Sequence, residues 1–220
     1  MNDGSTDRTK EVALSFGKEH NLPIKVVTHV INRGKGGSVT QGVLSSSGEY
    51  ILFCDADGAT KFGDIDELLK ASRLNGKNGL SISVGSRVAN SESDKKVSRS
   101  SIRHFLQLAF HTYVYILGVR GIKDTQCGFK MFSRKAAQII FSQMHVERFI
   151  FDIEVLLLAS YYKMPISEIP VNWHEVEGSK MSIVRDSIQM ALDLLAVRLN
   201  YLLGLWKIKT IDEILAARKN

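Results

Sequence analysis

Apolar and β-branched residues in the first half of the chain fall into three short runs, each bounded by glycine, proline, asparagine or aspartate. The runs cover residues 24–30, Tyr50–Cys54 and residues 80–84. Their length and composition predict buried β-strands. Helical patterns separate them, at residues 6–20, 37–46 and 65–74. Strands that alternate with helices predict an α/β fold with a mainly parallel sheet, whose ligand crevice lies beyond the carboxyl ends of the strands.

The second half of the chain has longer apolar stretches. After a polar, basic segment, the pattern predicts helices over residues 102–117, 151–162 and 183–203 and a strand over residues 167–173. No run reaches the roughly 20 apolar residues of a membrane-spanning helix. Residues 105–119 and 188–206 are apolar with polar interruptions, which favours a position at a membrane interface.

Length, charge and cysteine content limit the class of protein. A chain of 220 residues fits one folded domain. A net charge of +6 and a pI near 9.3 favour an anionic partner such as phosphate, nucleic acid or a membrane surface. The two cysteines, Cys54 and Cys127, lie far apart in sequence, and we expect both to be free thiols.

Two aspartates, Asp55 and Asp57, follow directly after the second apolar run. On an extended backbone, residues i and i+2 point to the same side, so both carboxylates can bind one divalent cation or its water shell. Mg²⁺ or Mn²⁺ bridging a diphosphate is the chemistry that this pattern favours. The alternative is a pair of solvated loop acids, because aspartate is common in turns.

A glycine-rich segment, NRGKGGSVTQG, covers residues 32–42 just before and within a predicted helix. Glycines let backbone N–H groups approach phosphate oxygens, and Arg33 and Lys35 add positive charge at the helix start. The spacing does not match a Walker loop. A flexible connection is the alternative.

Polar residues elsewhere form two further groups of candidates. Arg87 follows the third predicted strand, and Arg99 and Arg103 precede an apolar helix, where guanidinium groups suit bidentate phosphate contacts. The segment DTQCGFKMF brings the Asp124 carboxylate and the Gln126 amide together, although an Asx-type turn would use the same residues.

The motifs NDGSTD, NRGKGG, DADGATKF, GSR, DTQCGFK, HVERFIFDIE and VNWHEVEGSK, in this order, resemble those of the dolichyl-phosphate β-glucosyltransferases. These are a membrane-associated branch of the inverting GT-A-fold glycosyltransferases of family 2. The resemblance implies transfer of glucose from UDP-glucose to dolichyl phosphate, with Mg²⁺ or Mn²⁺ as cofactor. It also implies a location at the cytosolic face of the endoplasmic reticulum membrane. A nucleic-acid partner is not expected, because the basic residues are dispersed along the chain and no nucleic-acid-binding module is recognised.

The resemblance assigns roles to individual residues. Asp3 matches the carboxylate for the uridine part, and Arg33 and Lys35 lie in the nucleotide loop. Asp55 and Asp57 match the D-x-D pair for metal and diphosphate.

The acceptor side follows in the same way. Asp124 and Gln126 match the motif that faces the transferred sugar and the acceptor, where we expect a catalytic or orienting role. We add Arg87 to the nucleotide-sugar contacts, and Arg99 and Arg103 as ligands of the acceptor phosphate. A phosphate acceptor is already ionised near neutral pH, so it has less need of a strong general base than a sugar hydroxyl has.

A single glycosyltransferase domain over residues 1–220 is expected, with a nucleotide-sugar part in residues 1–90 and an acceptor and membrane-interface part in residues 91–220. Because NDGSTD has no strand in front of it, we also expect that a preceding strand–helix–strand unit of the family is absent from this chain, which would lower its stability. Two alternatives remain: an inactive fragment that binds anionic lipid or a partner, and a sister transferase with another nucleotide-sugar donor.

Overall fold

The computed structural model describes residues 1–88, 113, 119, 121–176 and 183–217 of the chain. Within them, both helices and strands are present, as an α/β fold requires. In chain order these are α1 (Thr9–Glu19), α2 (Gly34–Leu44), β1 (Tyr50–Cys54), a 3₁₀ turn (Phe62–Asp64), α3 (Ile65–Asn75), β2 (Ile82–Ser86), β3 (Phe129–Ser133), α4 (Arg134–Phe141), α5 (Phe151–Tyr161), β4 (Ile166–Pro170), α6 (Ile183–Leu202) and α7 (Ile211–Ala216).

The four strands form one sheet in the order β1-β3-β2-β4, and its strand directions are mixed. β2 and β4 are parallel, whereas β3 runs antiparallel to both β1 and β2. The expectation of a mainly parallel sheet is therefore wrong for the described strands. β3 begins beside the end of β1, since its first residue, Phe129, lies opposite Cys54, the last residue of β1. β3 therefore runs in the opposite direction to β1.

Two helical layers cover the sheet, and β3 shows how its side chains alternate between them. Phe132 belongs to the larger core cluster with α4 and α5, whereas Phe129 and Met131 belong to a second cluster with Leu68 of α3. This alternation follows from the two-residue period of a strand. It places Lys130, on the same face as Phe132, underneath α5 in the interior of the protein.

Residues 24–30 were predicted as a strand, and this prediction is wrong for the described chain. They contain a single bridge, in which Thr28 pairs in parallel with Asn2. The Asn2 N–H donates to the Val27 carbonyl at 2.8 Å, and the His29 N–H donates to the Asn2 carbonyl at 2.9 Å. A strand needs partners for successive residues, and these two bonds supply a partner at one position only.

Other elements differ less from expectation. β1 has the predicted bounds, α2 begins three residues earlier than predicted, and β4 ends at Pro170 where the prediction ran to residue 173. The sequence pattern did not predict β3, α4 or α7. The predicted helix over residues 102–117 lies outside the described residues, apart from residue 113. In the described part of the chain, no helix is both long enough and apolar enough to cross a bilayer.

Candidate functional site

Asp3 lies at the amino end of α2, where its carboxylate accepts backbone hydrogen bonds. The Arg33 N–H donates to Oδ1 at 2.9 Å, the Gly34 N–H donates to Oδ2 at 2.8 Å, and His29 Nδ1 lies 2.7 Å from Oδ1. Burial raises the pKa of the Asp3 carboxyl, but the bonds from the Arg33 N–H, His29 and the Gly34 N–H outweigh it, so that the net effect lowers the pKa. A carboxylate here also stabilises α2 through the helix dipole.

The glycines of residues 32–42 accommodate another part of the protein itself. A Cβ atom at Gly34 would lie 2.7 Å from the Glu147 carbonyl oxygen, and one at Gly36 would lie 2.6 Å from that of Val146. The Gly37 N–H donates to the Glu147 carbonyl at 3.1 Å, and the Arg33 guanidinium pairs with the Glu147 carboxylate. The glycine-rich segment therefore packs against residues 146–147, a contact that its sequence alone does not reveal.

The same segment reaches the D-x-D pair through Lys35. Its ammonium lies 2.8 Å from Oδ1 and 2.9 Å from Oδ2 of Asp55, and so contacts both carboxylate oxygens. Asp55 is exposed at the end of β1. The structure thus brings the α2 amino end, with Asp3 and Arg33, next to the carboxyl end of β1.

Gly128 supports Asp55 from the other side. Its carbonyl accepts the Asp55 N–H at 2.9 Å. A Cβ atom at Gly128 would lie 2.0 Å from Oδ2 of Asp55, a distance that no side chain permits. The Asp55 carboxylate therefore occupies space that only a glycine at position 128 leaves open.

Asp57 lies in an exposed turn beyond β1, where the Ala59 N–H donates to its Oδ1 at 3.0 Å. The turn is held by residues that follow β4. The His174 N–H donates to the Ala59 carbonyl at 2.9 Å, and Thr60 and Trp173 form an antiparallel bridge. The turn uses one oxygen of Asp57, as the loop-acid alternative expects, and the metal role of this carboxylate stays a prediction.

The donor atoms at this edge fit a divalent cation. Asp55 and Asp57 present exposed carboxylates, and Mg²⁺ in proteins is bound by one or two carboxylates together with substrate phosphates and water. Among the described residues, no group of three or more His, Cys, Asp or Glu side chains could hold a metal ion. Further ligands from outside these two carboxylates, such as phosphate oxygens, are therefore part of what this donor set requires.

Arg87 and Asp124 form a second group beyond β2. The Arg87 guanidinium donates to both carboxylate oxygens of Asp124 at 2.7 Å, and its backbone N–H donates at 2.9 Å. The Arg87 guanidinium also lies 5.6 Å from the centre of the Trp173 ring. Burial raises the pKa of Asp124, but Arg87 outweighs it, so that the net effect lowers the pKa. Asp124 is consequently a weak base in this arrangement.

The loop that carries Asp124 is anchored by Glu168 of β4. The Asp124 N–H donates to Oε1 at 2.8 Å, and the Lys123 N–H donates to Oε2 at 3.0 Å. Gln126 is half-buried and makes no side-chain hydrogen bond with another described residue. Arg99 and Arg103 lie outside the described residues, so their predicted contact with a phosphate stays a prediction.

A buried ion pair, Lys130 with Asp152, lies beneath the candidate site. Lys130 Nζ donates to Oδ1 of Asp152 and to the Cys127 carbonyl, both at 2.6 Å. The two side chains are 0% and 4% exposed, so neither charge can be compensated by water. Burial raises the pKa of Asp152, an effect that the Lys130 ammonium opposes. Through Cys127, the pair holds the loop between Asp124 and Gly128.

Glu154, two residues after Asp152 in α5, connects residues 145–146 to α6. Its fully buried carboxylate accepts the Val146 N–H at 2.8 Å and the Tyr201 hydroxyl at 2.7 Å. His145 also contacts this carboxylate and stacks on Trp206 at a ring distance of 4.3 Å. The sequence pattern did not predict this cluster. The usable signal was that Asp152 and Glu154 stand among apolar residues in FIFDIEVLLLA, residues 149–159.

Comparison with known proteins bears on this site. The sequence model of the family "Glycosyl transferase family 2" matches residues 1–141. Proteins named dolichyl-phosphate beta-glucosyltransferase are 47% identical in Homo sapiens, over 95% of this chain, and 44% identical in Saccharomyces cerevisiae, over 94%. The chain spans about 65% of the length of these two relatives.

Solved structures of glucosyl-3-phosphoglycerate synthase from Mycobacterium tuberculosis share the fold. One, in complex with Mn²⁺, UDP and glucosyl-3-phosphoglycerate, has a TM-score of 0.54 at 16% identity, over 96% of this chain and 68% of that one. Another, with Mn²⁺ and UDP-glucose, has a TM-score of 0.52 at 18% identity, over 94% and 67%. This likeness confirms the predicted α/β, GT-A type of fold. With its family match over more than half its length, the chain belongs to glycosyl transferase family 2.

Proposed function

We propose that this chain transfers glucose from UDP-glucose to dolichyl phosphate, with inversion at the anomeric carbon. The product is dolichyl β-D-glucosyl phosphate, a lipid-linked glucose donor for N-glycan precursors. The observation that carries the proposal is the 44% to 47% identity with relatives of that name along almost the whole chain. The candidate site supports it, because Asp55 of the D-x-D pair lies beside the cationic amino end of α2.

The donor half of the reaction uses the edge formed by β1 and α2. Asp3 is the proposed contact for the uridine part, Arg33 and Lys35 supply charge for the phosphates, and Asp55 with Asp57 holds Mg²⁺ or Mn²⁺. When bound, the cation would neutralise the diphosphate leaving group. Solved structures of the Mycobacterium tuberculosis protein hold Mn²⁺ and UDP-glucose, or Mg²⁺ and UDP, as ligands of that protein.

On the acceptor side, Asp124 acts by orienting rather than by removing a proton. Its two oxygens are bonded to Arg87, which fixes both side chains at the end of β2. Because a phosphate acceptor brings its own negative charge, the reaction does not depend on a strong base there. Gln126, two residues further along the same loop, is the proposed contact for the transferred sugar. Arg87 completes the nucleotide-sugar contacts.

A lipid acceptor requires a membrane surface, and α6 supports this part of the proposal. Its apolar side chains on one face are exposed to between 40% and 78%, at Ile188, Leu192, Leu195, Leu199 and Leu202. The opposite face is buried through Leu194 and Val197. This spacing places a continuous apolar stripe on the outside of the helix. We assign α6 to the cytosolic face of the endoplasmic reticulum membrane.

Two functional parts follow within one domain. Residues 1–90 form the nucleotide-sugar part, and residues 91–220 form the acceptor and membrane-interface part. In this division Arg99 and Arg103 bind the acceptor phosphate.

Asp57→Asn tests the proposal most directly. We expect this chain to transfer labelled glucose from UDP-glucose to dolichyl phosphate in detergent with Mn²⁺ or Mg²⁺. We expect Asp57→Asn to reduce transfer by about 100-fold or more, because one of two carboxylate ligands is lost. Glu67→Gln, which removes an exposed carboxylate of α3, is the matched control and should leave the rate unchanged.

Three outcomes would contradict the proposal. Transfer that is unaffected by Asp57→Asn would remove the metal role of the D-x-D pair. A donor such as GDP-mannose or UDP-GlcNAc that is used in preference to UDP-glucose would identify a sister transferase, whereas lipid binding without any transfer would identify a non-catalytic protein.

A further inference from the structure

The contact between Lys35 and Asp55 is unusual for a predicted metal ligand, since one ammonium engages the whole carboxylate. Its nitrogen lies within 2.9 Å of both oxygens. Lys35 is in the first turn of α2 and Asp55 is at the end of β1, so the pair joins two elements that are otherwise separate in sequence. Both side chains are partly exposed, 27% and 37%, which leaves the pair open to exchange with a ligand from solvent.

The surroundings of Asp55 require a cation. Asp57 lies two residues away, and the carboxylate of Asp152 is buried beneath β1. Lys130 compensates Asp152 directly, at 2.6 Å. Among the described residues, Lys35 is the cation paired with Asp55 itself. Without it, Asp55 would be a second negative charge close to Asp57 and above a buried acid, an arrangement that like-charge repulsion disfavours.

A divalent cation would need the same oxygens. Mg²⁺ binds carboxylate oxygens directly, at about 2.0–2.1 Å. An ammonium that already bridges both oxygens of Asp55 would then lie next to a second cation, and the two would repel one another. Lysine has a flexible four-carbon stem, so its charge can move several ångströms while its backbone stays in α2.

We propose that Lys35 is a built-in counter-cation of Asp55. The divalent ion displaces the Lys35 ammonium from Asp55, and the ammonium then binds the diphosphate of the donor. The inference rests on the proposed function and specifies how the site changes between its free and loaded forms. Lys35 thereby acts twice. It keeps Asp55 in place before the metal arrives, and it supplies a phosphate ligand afterwards.

Removal of the ammonium tests the displacement. Lys35→Met keeps the apolar stem and removes the charge, and Mn²⁺ binding to this chain without nucleotide can be followed by water-proton relaxation. We expect Lys35→Met to bind Mn²⁺ several-fold more tightly than the unmodified chain, because the competing cation is gone. With Mn²⁺ saturating, the same variant should bind UDP several-fold more weakly, because a phosphate ligand is lost.

Lys61→Met is the matched control. Lys61 lies in the loop that follows Asp57 and is not paired with Asp55 among the described residues, so this variant removes the same charge nearby without removing a competitor. It should change Mn²⁺ affinity far less than Lys35→Met does. Equal effects of the two variants would show that Mn²⁺ affinity follows the total charge near the site and not the contact between Lys35 and Asp55. This result would overturn the inference.

Two further results separate this inference from the proposed function. Mn²⁺ binding that Lys35→Met leaves unchanged or weakens would overturn the counter-cation role while the metal site stands. A complete lack of Mn²⁺ binding, with UDP as well as without it, in the unmodified chain and in both variants, would overturn the metal site and the displacement together.

Discussion

Gly128 shows how a residue without a side chain determines where a carboxylate lies. Asp55 is near Gly128 only because β3 enters the sheet at the end where β1 finishes. Sequence analysis could place Asp55 and Asp57 at a strand end, since an apolar run followed by acids is a local signal. It could not place Gly128 against Asp55, because that contact joins residues more than seventy positions apart.

Gly128→Ala is therefore expected to damage the site through Asp55. The new methyl group would lie 2.0 Å from Oδ2 of Asp55, and overpacking of this kind typically costs about 1–3 kcal/mol. We expect a lower melting temperature and a higher Mn²⁺ requirement for glucose transfer. Gly63→Ala is the control, since a Cβ atom there would meet only Lys61 Cε, at 3.9 Å.

A double-mutant cycle identifies the cause of the damage. In an Asp55→Ala background, the methyl group of Gly128→Ala no longer meets a carboxylate, so the second substitution should cost much less stability than it does alone. An equal cost in both backgrounds would show that the loop around Gly128, and not Asp55, is what the methyl group disturbs.

Asp124 makes a prediction about acid stability. The fold lowers the pKa of Asp124 below its ordinary value of 3.8. The ionised carboxylate therefore stabilises the fold fully at a pH above its ordinary pKa, and this stabilisation is lost as the pH falls through the lower pKa of the folded state. We expect the free energy of unfolding to fall with acid less steeply in Asp124→Asn than in the unmodified chain. The comparison requires urea unfolding between about pH 2.5 and 7.

The control for this experiment is Glu67→Gln, which alters an exposed acid of α3. Its stability should follow the unmodified chain across the acid range. Parallel curves for Asp124→Asn and the unmodified chain would contradict the assigned role of the Arg87 pair.

At the scale of elements, local patterns succeeded where the element is bounded by its own sequence. β1 has its predicted bounds because an apolar run ends in acids and begins after a glycine. β3 was not predicted because its five residues include Lys130, and a lysine is ordinarily expected on the surface. Only the structure shows that Lys130 is buried in an ion pair with Asp152. The strand predicted over residues 24–30 is absent from the described structure for a different reason. Its composition is typical of a strand, but a strand also needs a neighbouring segment to pair with, and the composition does not show whether one is present.

The same reasoning applies to α2. Its glycines suggested a phosphate loop, and the structure shows that they first of all permit close packing against residues 146–147. That role depends on residues more than a hundred positions away. The sequence therefore shows that α2 begins with glycines, but it does not show which backbone N–H groups of α2 already donate hydrogen bonds to other parts of the protein.

At the scale of the whole molecule, the exposed stripe of α6 predicts membrane binding. Replacement of Leu199 and Leu202 by glutamine should reduce binding of the chain to vesicles that contain anionic lipid by about tenfold, since two apolar side chains no longer enter the interface. Vesicle co-sedimentation measures the change. Because both side chains are largely exposed, the melting temperature should hardly change.

Leu14→Gln is the control for this experiment. Leu14 of α1 is 43% exposed, close to the 46% of Leu199, but lies on a different helix. It should leave vesicle binding unchanged. An equal loss in the control would mean that binding follows overall hydrophobicity and not the position of α6.

The buried Glu154 carboxylate has a mechanical consequence for the proposed reaction. It joins Tyr201 of α6 to Val146, and the next residue, Glu147, is bonded to Gly37 and Arg33. α6, which we propose to face the lipid, and the glycine-rich loop of residues 32–42 are thus connected by one short chain of hydrogen bonds. A donor sugar held by that loop would be presented at a fixed height above the bilayer, so that an acceptor headgroup confined to the membrane plane need only diffuse sideways to meet it.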